Sequence, residues 1–298
     1  METINIDNEI EKEIINEFEK VNFNKSIILF DKSQHSIEIY RWISYYDDKG
    51  DLISIKPTIN SDNFRGKNYS IEKSSNVKRV VVIGDSHTFG WGLKDEETFP
   101  YKLEELLNNQ ILGYRWEVLN MGYPGINLIE KLQVLKYKGI KYNPDIVILQ
   151  HDGDDIFPQL YRQWEQQIFN NLSTKYNISF SLKRDFIRYF THTREKIQYK
   201  IGYKFLLNEL IENPILEFKN ISGQIGFKLL ILSFYPTDDQ DKIIRKHTEN
   251  GKIPYLVINS ILNPAFYKIS KYEPHLNGHA HEIIAKKIYD VITHIIYD

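Results

Sequence analysis

The sequence predicts an α/β fold, a doubly wound and mainly parallel sheet flanked by helices. Two observations carry this. From residue 76 onward, short apolar and β-branched runs alternate with amphipathic stretches of helical period, which implies parallel strands joined by helical crossovers. The second is the run Val80-Val81-Val82-Ile83, which breaks at Gly84 and continues Asp85-Ser86-His87. A short β-branched run that stops at a glycine reads as a buried strand entering a tight turn. Open α/β sheets bind ligands at the carboxyl ends of their strands, so Ser86 is placed on a rigid support at that edge.

Taken in order, residues 8–22 mix acids with Ile, Phe and Val at helical spacing and predict a short amphipathic helix. Two alternating runs, 36–43 and 51–55, flank Asp47-Asp48-Lys49-Gly50, which predicts a hairpin. Residues 1–75 therefore read as an N-terminal β-rich appendage, joined at Ser74-Ser75-Asn76 to an α/β domain over 76–298. In that domain 78–83 is a strand. A helix follows over 98–109, with Thr98 as its cap, Pro100 in its first turn and Leu103, Leu106 and Leu107 on one face. Strands are expected at 116–119, 145–150, 227–233 and 253–258, and helices at 128–139, 238–250 and 278–297. The stretch 156–222 is longer than one crossover needs and is rich in aromatic and polar residues. It reads as a helical insertion that either thickens the fold or forms a lid or substrate-selecting wall.

Composition narrows the function. The chain has 298 residues, 42% hydrophobic and 26% charged, with a formal charge of -2. Without a basic surplus to neutralise phosphates, nucleic-acid binding is not expected. There is no cysteine, which excludes disulfides, thiolate catalysis and Cys-based zinc sites. The first residues are acidic and lack a signal-peptide pattern, and no apolar run approaches the roughly 20 residues of a membrane span. The expectation is a cytoplasmic protein without a membrane span.

A serine at a strand end needs a base and an oxyanion site to act as a nucleophile. Three further segments offer candidates. Asn120-Met121-Gly122-Tyr123-Pro124-Gly125 follows the next strand, and a side chain at Gly122 would crowd an approaching acyl group. His151-Asp152-Gly153-Asp154-Asp155 follows the strand after that. Glu273-Pro274-His275 precedes the final helix, with His279 and His281 inside it as surface or packing residues.

Together these blocks resemble the SGNH hydrolase superfamily, the GDSL-type esterases and lipases, over about residues 78–155 and 227–298. Gly84-Asp85-Ser86-His87-Thr88-Phe89-Gly90 is similar to the family's first block, and the continuation through Pro100 looks like bacterial members acting on acylated carbohydrates. The resemblance implies a flavodoxin-like three-layer sheet. It makes Ser86 the nucleophile, with the N–H groups of Ser86 and Gly122 as oxyanion donors. It makes His275 the base and Glu273, in place of the family's Asp, the residue that orients it. Asp154 falls where the family has an Asn that donates to the oxyanion. An ionised carboxylate only accepts hydrogen bonds. Three outcomes stay open for that position: a protonated Asp154, a site working with two backbone donors, or a loss of activity. His151, Asp152, Asp154 and Asp155 read alternatively as a solvated acidic turn or a divalent-metal site; the former is adopted, and no cofactor or metal is called for.

The resulting expectation is a serine esterase that removes a short, acetyl-like acyl group from a small or carbohydrate-like substrate through an acyl-enzyme. Two others stand beside it: a catalytically silent module that binds a glycan or protein, and an acyltransferase using the same Ser86 and His275.

Overall fold

The structure, a computed structural model, describes residues 42–156, 203–249 and 252–297. The helix expected over 8–22, residues 36–41 of the first hairpin run and residues 157–202 of the insertion lie outside the described residues.

Five strands form the central sheet: β3 (Val77–Gly84), β4 (Arg115–Gly122), β5 (Ile146–Asp152), β6 (Lys228–Phe234) and β7 (Tyr255–Val257). Their order is β4-β3-β5-β6-β7, and every neighbouring pair is parallel. The chain winds outward from β3 to β4, then returns past β3 to β5. This is the flavodoxin-like order, whose switch point lies between β3 and β5. Ser86 and the turn after Asp152 sit at the carboxyl ends of those two strands.

The helices in chain order are α1 (Ser86–Phe89), α2 (Phe99–Gln110), α3 (Leu128–Tyr137), α4 (Tyr203–Leu207), α5 (Asn213–Ile225), α6 (Asp238–Glu249), α7 (Ile258–Ile261) and α8 (Gly278–Tyr297). Alternate strand residues face opposite layers. Val81, Ile83, Val147 and Leu149 pack with Leu132 and Leu135 of α3 and Ile215 and Phe218 of α5. Val80, Val82, Ile146 and Ile148 pack with Leu103 and Leu107 of α2 and Ile284, Ile288 and Ile292 of α8. A strand covered on both faces must be apolar at consecutive positions, which explains the unbroken run Val80–Ile83.

The element boundaries differ from expectation in informative places. β4 and β5 run on to Gly122 and Asp152, carrying residues of the second and third blocks inside the sheet. The strand expected over 253–258 is shorter, because Ile258 already opens α7. The last part of the expected insertion is the crossover itself. A π turn (Asn208–Glu212) leads into α5, which connects to β6.

At the N-terminal side, β1 (Ile43–Tyr46) and β2 (Leu52–Ile55) form an antiparallel hairpin about the expected turn, with the first strand at 43–46, beyond the run expected at 36–43. Asp47 Oδ1 accepts the N–H groups of Lys49 and Asp51, and Gly50 takes φ 91° to close the turn. Residues 59–66 then enter the sheet domain. Phe64 joins its core. The buried Arg65 donates to the carbonyls of Phe89, Gly90 and Leu93 and to the Asp95 carboxylate, fixing the chain where α1 ends. No described helix is long and apolar enough to cross a membrane.

Candidate functional site

Ser86 opens α1 directly after β3. Asp85 caps this short helix through Oδ1, which accepts the His87 N–H at 2.9 Å. Gly90 ends it with φ 81° and donates its N–H to the Ser86 carbonyl. The backbone that carries Ser86 is therefore held at the sheet edge by contacts on both sides of a single turn.

The structure brings Ser86, His275 and Glu273 together. His275 Nε2 lies 2.8 Å from Ser86 Oγ, and His275 Nδ1 lies 2.6 Å from Glu273 Oε1. Glu273 Oε1 also accepts the His275 backbone N–H at 3.1 Å, and Oε2 accepts the indole N–H of Trp91 at 3.2 Å. Burial alone would raise the Glu273 pKa, but the His275 and Trp91 hydrogen bonds outweigh it and hold the carboxyl below the ordinary glutamate value. An ionised Glu273 only accepts, so the proton sits on His275 Nδ1 and leaves Nε2 to accept from Ser86. This is the arrangement a hydroxyl needs to lose its proton as it attacks.

The turn carrying Glu273 and His275 is pinned at several points. Ser270 and Glu273 exchange backbone hydrogen bonds, and Ile269 donates to the His275 carbonyl. Ser270 Oγ accepts the N–H groups of Tyr272 and Glu273 and donates to the Tyr46 carbonyl at 2.6 Å. Lys271 N–H donates to Asp48 Oδ1. The β1–β2 hairpin is thus braced directly against the turn that holds the base.

Behind Ser86 lies a buried charged group. Lys131, on α3 and fully buried, donates to Asp85 Oδ2 at 3.0 Å and to both Asp155 oxygens at 2.9 and 2.8 Å. Gln150 donates to Asp85 Oδ2 and accepts the Asp85 N–H. Burial raises the Asp155 pKa to about 7. For Asp85 the same burial is outweighed by Lys131 and His87, and its pKa falls to about 2.

Two residues assigned from sequence do not take the expected places. The Gly122 N–H donates to Asn120 Oδ1 at 3.0 Å and so is occupied. A Cβ at Gly122 would overlap the backbone of Thr88 and Phe89, so what needs glycine there is the approach of α1, not of an acyl group. Gly125, three residues on, takes φ 82°, and its N–H has no hydrogen-bond partner among the described residues. Asp154 is exposed on a 3-10 turn (Gly153–Ile156), with its N–H donating to Asp152 Oδ1. Of that acidic stretch, Asp152 turns toward Ser86's neighbour, with Oδ2 3.6 Å from His87 Nε2. Burial and the Asp85 charge push the Asp152 pKa well above the usual carboxylate range. His151 points elsewhere, its Nδ1 on Ser233 Oγ. These four side chains do not converge, and no metal-holding cluster of three occurs among the described residues.

His87 stacks on Phe234 with ring centroids 4.6 Å apart and lies 5.3 Å from the His275 ring. Tyr235, at φ 50°, and Trp91 stand beside this histidine pair. Trp91, Ser270 and Lys131 had no assigned part in the sequence reading. Lys131 did have a visible signal, since it falls on the stripe Leu128-Lys131-Leu132-Leu135 that faces the sheet.

Solved esterase structures are similar to this one. A two-domain esterase active on acetylated mannans is 11% identical with a TM-score of 0.47, covering 74% of this chain; the chain spans half of that protein. An acetyl xylan esterase is 15% identical with a TM-score of 0.45, covering 72% of this chain and 99% of its own. A GDSL-like lipase from Bacteroides thetaiotaomicron is 16% identical with a TM-score of 0.39, covering 73% and 89%. At these values the likenesses assign no activity to the chain. No protein-family model and no curated protein matches the sequence.

Proposed function

We propose that this protein is a serine ester hydrolase that removes a short, acetyl-like acyl group from a small or carbohydrate-like alcohol. The observation that carries the reading is the continuous series Ser86 Oγ–His275–Glu273, with spacings of 2.8 and 2.6 Å. In this reading Ser86 Oγ attacks the ester carbonyl while His275 Nε2 takes its proton. The resulting imidazolium is stabilised by Glu273 and returns the proton to the leaving alcohol. Water, activated by the same nitrogen, then releases the acyl group. The Ser86 N–H, at the first helical position and so without an intrahelical partner, is one oxyanion donor. The N–H of Gly125, in the turn after β4, supplies the second in place of that of Gly122. Trp91, His87 and Tyr235 offer ring faces and polar atoms suited to a hydroxylated alcohol.

The occupied Gly122 N–H and the exposed Asp154 favour a second reading, a module of the same fold that binds without turnover. Fluorophosphonate labelling separates the two. Covalent label on the parent protein and none on Ser86→Ala is expected of the esterase. Absence of label, together with no turnover of p-nitrophenyl acetate from about pH 5 to 9, would leave only the binding reading.

A further inference from the structure

We propose that Lys131 is a positioning residue that holds the turns of the candidate site in register; this rests on the esterase reading. An ammonium buried without partners costs several kcal/mol, so its surroundings must answer it fully. They do. All three Lys131 hydrogen bonds go to carboxylates, at 2.8 to 3.0 Å, and the side chain has no exposure.

What matters is where each partner leads. Asp85 Oδ1 accepts the His87 N–H, so the residue on the ammonium also caps the helix that Ser86 opens. Asp85 Oδ2 accepts Gln150 Nε2 as well, tying β5 to the same point. Asp155 Oδ2 accepts the Asp152 N–H, which sets the path of the turn after β5. Lys131 itself sits one turn into α3. That helix begins at a capping box between Asn127 and Glu130, just past the turn that follows β4. One side chain therefore joins the segments that follow β3, β4 and β5, and these are the segments that carry Ser86, Gly125 and Asp154. Lys131 touches Asp85 and Asp155 and reaches the reacting atoms only through them.

The charge arithmetic explains why a lysine serves here. Two carboxylates facing each other in the interior would repel and take up protons. With the ammonium between them the group carries less net charge, and Asp85 stays ionised as a helix cap. A neutral residue at 131 would leave Asp85 and Asp155 to repel, and the two turns would part.

The test uses the full chain. Lys131→Met alone risks unfolding, so it is paired with Asp155→Asn, which keeps an acceptor for the Asp152 N–H and leaves the net charge of the group unchanged. The expected result is a folded protein, melting within about 5 °C of the parent. Its fluorophosphonate labelling rate at Ser86 should fall about tenfold to a hundredfold, the scale for a reacting group displaced by about 1 Å. In p-nitrophenyl acetate turnover kcat should fall while KM stays within about twofold. A folded double variant labelling at the parental rate would overturn the proposal. If the double variant does not fold, Asp155→Asn alone decides, because it takes the carboxylate charge of the β5 turn off the Lys131 ammonium while leaving the Lys131–Asp85 contact. A labelling rate lowered about threefold or more supports the positioning role, and an unchanged rate rejects it. An unlabelled parent would overturn the esterase reading and this proposal with it, and so is distinguishable from a labelled parent with an indifferent Lys131.

Discussion

His281 Nδ1 accepts the backbone N–H of Phe99 at 3.0 Å, so a side chain on α8 caps the start of α2. Thr98, the expected cap, instead donates its hydroxyl to the Asp95 carbonyl. An accepting Nδ1 requires a neutral ring, and burial lowers the His281 pKa to about 3 from an ordinary 6.5. As pH falls through 6.5 the unfolded chain takes up this proton and the folded chain does not. Stability is therefore fully present above 6.5 and lost progressively toward pH 3. At pH 5 the loss is about 2 kcal/mol for this one group. The buried His151, lowered to about 3, and His87, lowered to about 4, act with the same sign. His281→Gln should flatten part of the fall in melting temperature between about pH 7 and 5. A pH dependence identical to the parent's would rule out this account.

The Glu273 carboxylate selects the His275 tautomer that leaves Nε2 free to accept. Glu273→Gln presents an amide that can donate as well as accept, and the selection is lost. Turnover of p-nitrophenyl acetate should drop by about 10³ to 10⁴ in kcat, the scale known for amide replacement of a triad acid. Trp91→Phe removes the indole donor to Oε2 and shrinks the ring beside His275, and should cost less, about tenfold. Ser86→Ala supplies the floor. A Glu273→Gln variant with parental kcat would remove Glu273 from the mechanism.

Ser270 connects the hairpin to the base. Its hydroxyl takes part in three hydrogen bonds, to the Tyr46 carbonyl and from the N–H groups of Tyr272 and Glu273. Ser270→Ala removes the side-chain partner of the Tyr46 carbonyl and of the Tyr272 N–H in a partly buried turn, while the Glu273 N–H keeps the Ser270 carbonyl, at a cost of about 1–3 kcal/mol. Melting temperature should fall, and kcat should fall further than KM rises, because the displaced group is Glu273 and not a substrate contact. A variant that melts earlier but keeps its kcat would show that the hairpin stabilises the turn without setting its geometry.

What the sequence made legible follows the range of the interactions involved. The parallel sheet was readable because each strand and crossover has a local period, and Gly278–Tyr297 emerged with the boundaries expected for it. The chemical groups Ser86, Glu273 and His275 were nameable because each sits in a recognisable block. Their mutual distances, and the contacts that set them, join residues far apart in the chain. Ser270 and Tyr46 are 224 positions apart, and Phe99 and His281 are 182 apart, so no window of sequence contains either pair. Lys131 is a different case. A lysine on the buried stripe of an amphipathic helix is a local signal of a buried counter-charge, although which carboxylates answer it is not local. Gly122 shows the opposite error, since its type was read properly as a close approach while the approaching group is the backbone of α1.

That distinction at Gly122 can be measured. An alanine there keeps the backbone N–H, so a site that needs only this donor would work almost unchanged. The added Cβ, however, would meet the backbone nitrogen and Cα of Phe89 and the carbonyl carbon of Thr88. Backbone cannot rotate away as a flexible side chain can, so α1 or the end of β4 must shift. Overpacking of this kind costs about 1–3 kcal/mol or more. The displacement falls on the helix whose first residue is Ser86. Gly122→Ala is therefore expected to melt several degrees earlier and to label with fluorophosphonate at least about tenfold more slowly than the parent. Asn120→Ala is the companion variant: it releases the Gly122 N–H and adds no atom against α1, at the loss of the long 3.5 Å contact from Asn120 Nδ2 to the Phe89 carbonyl. If Asn120→Ala raises the labelling rate while Gly122→Ala leaves it unchanged, Gly122 acts as a donor and the packing explanation is wrong.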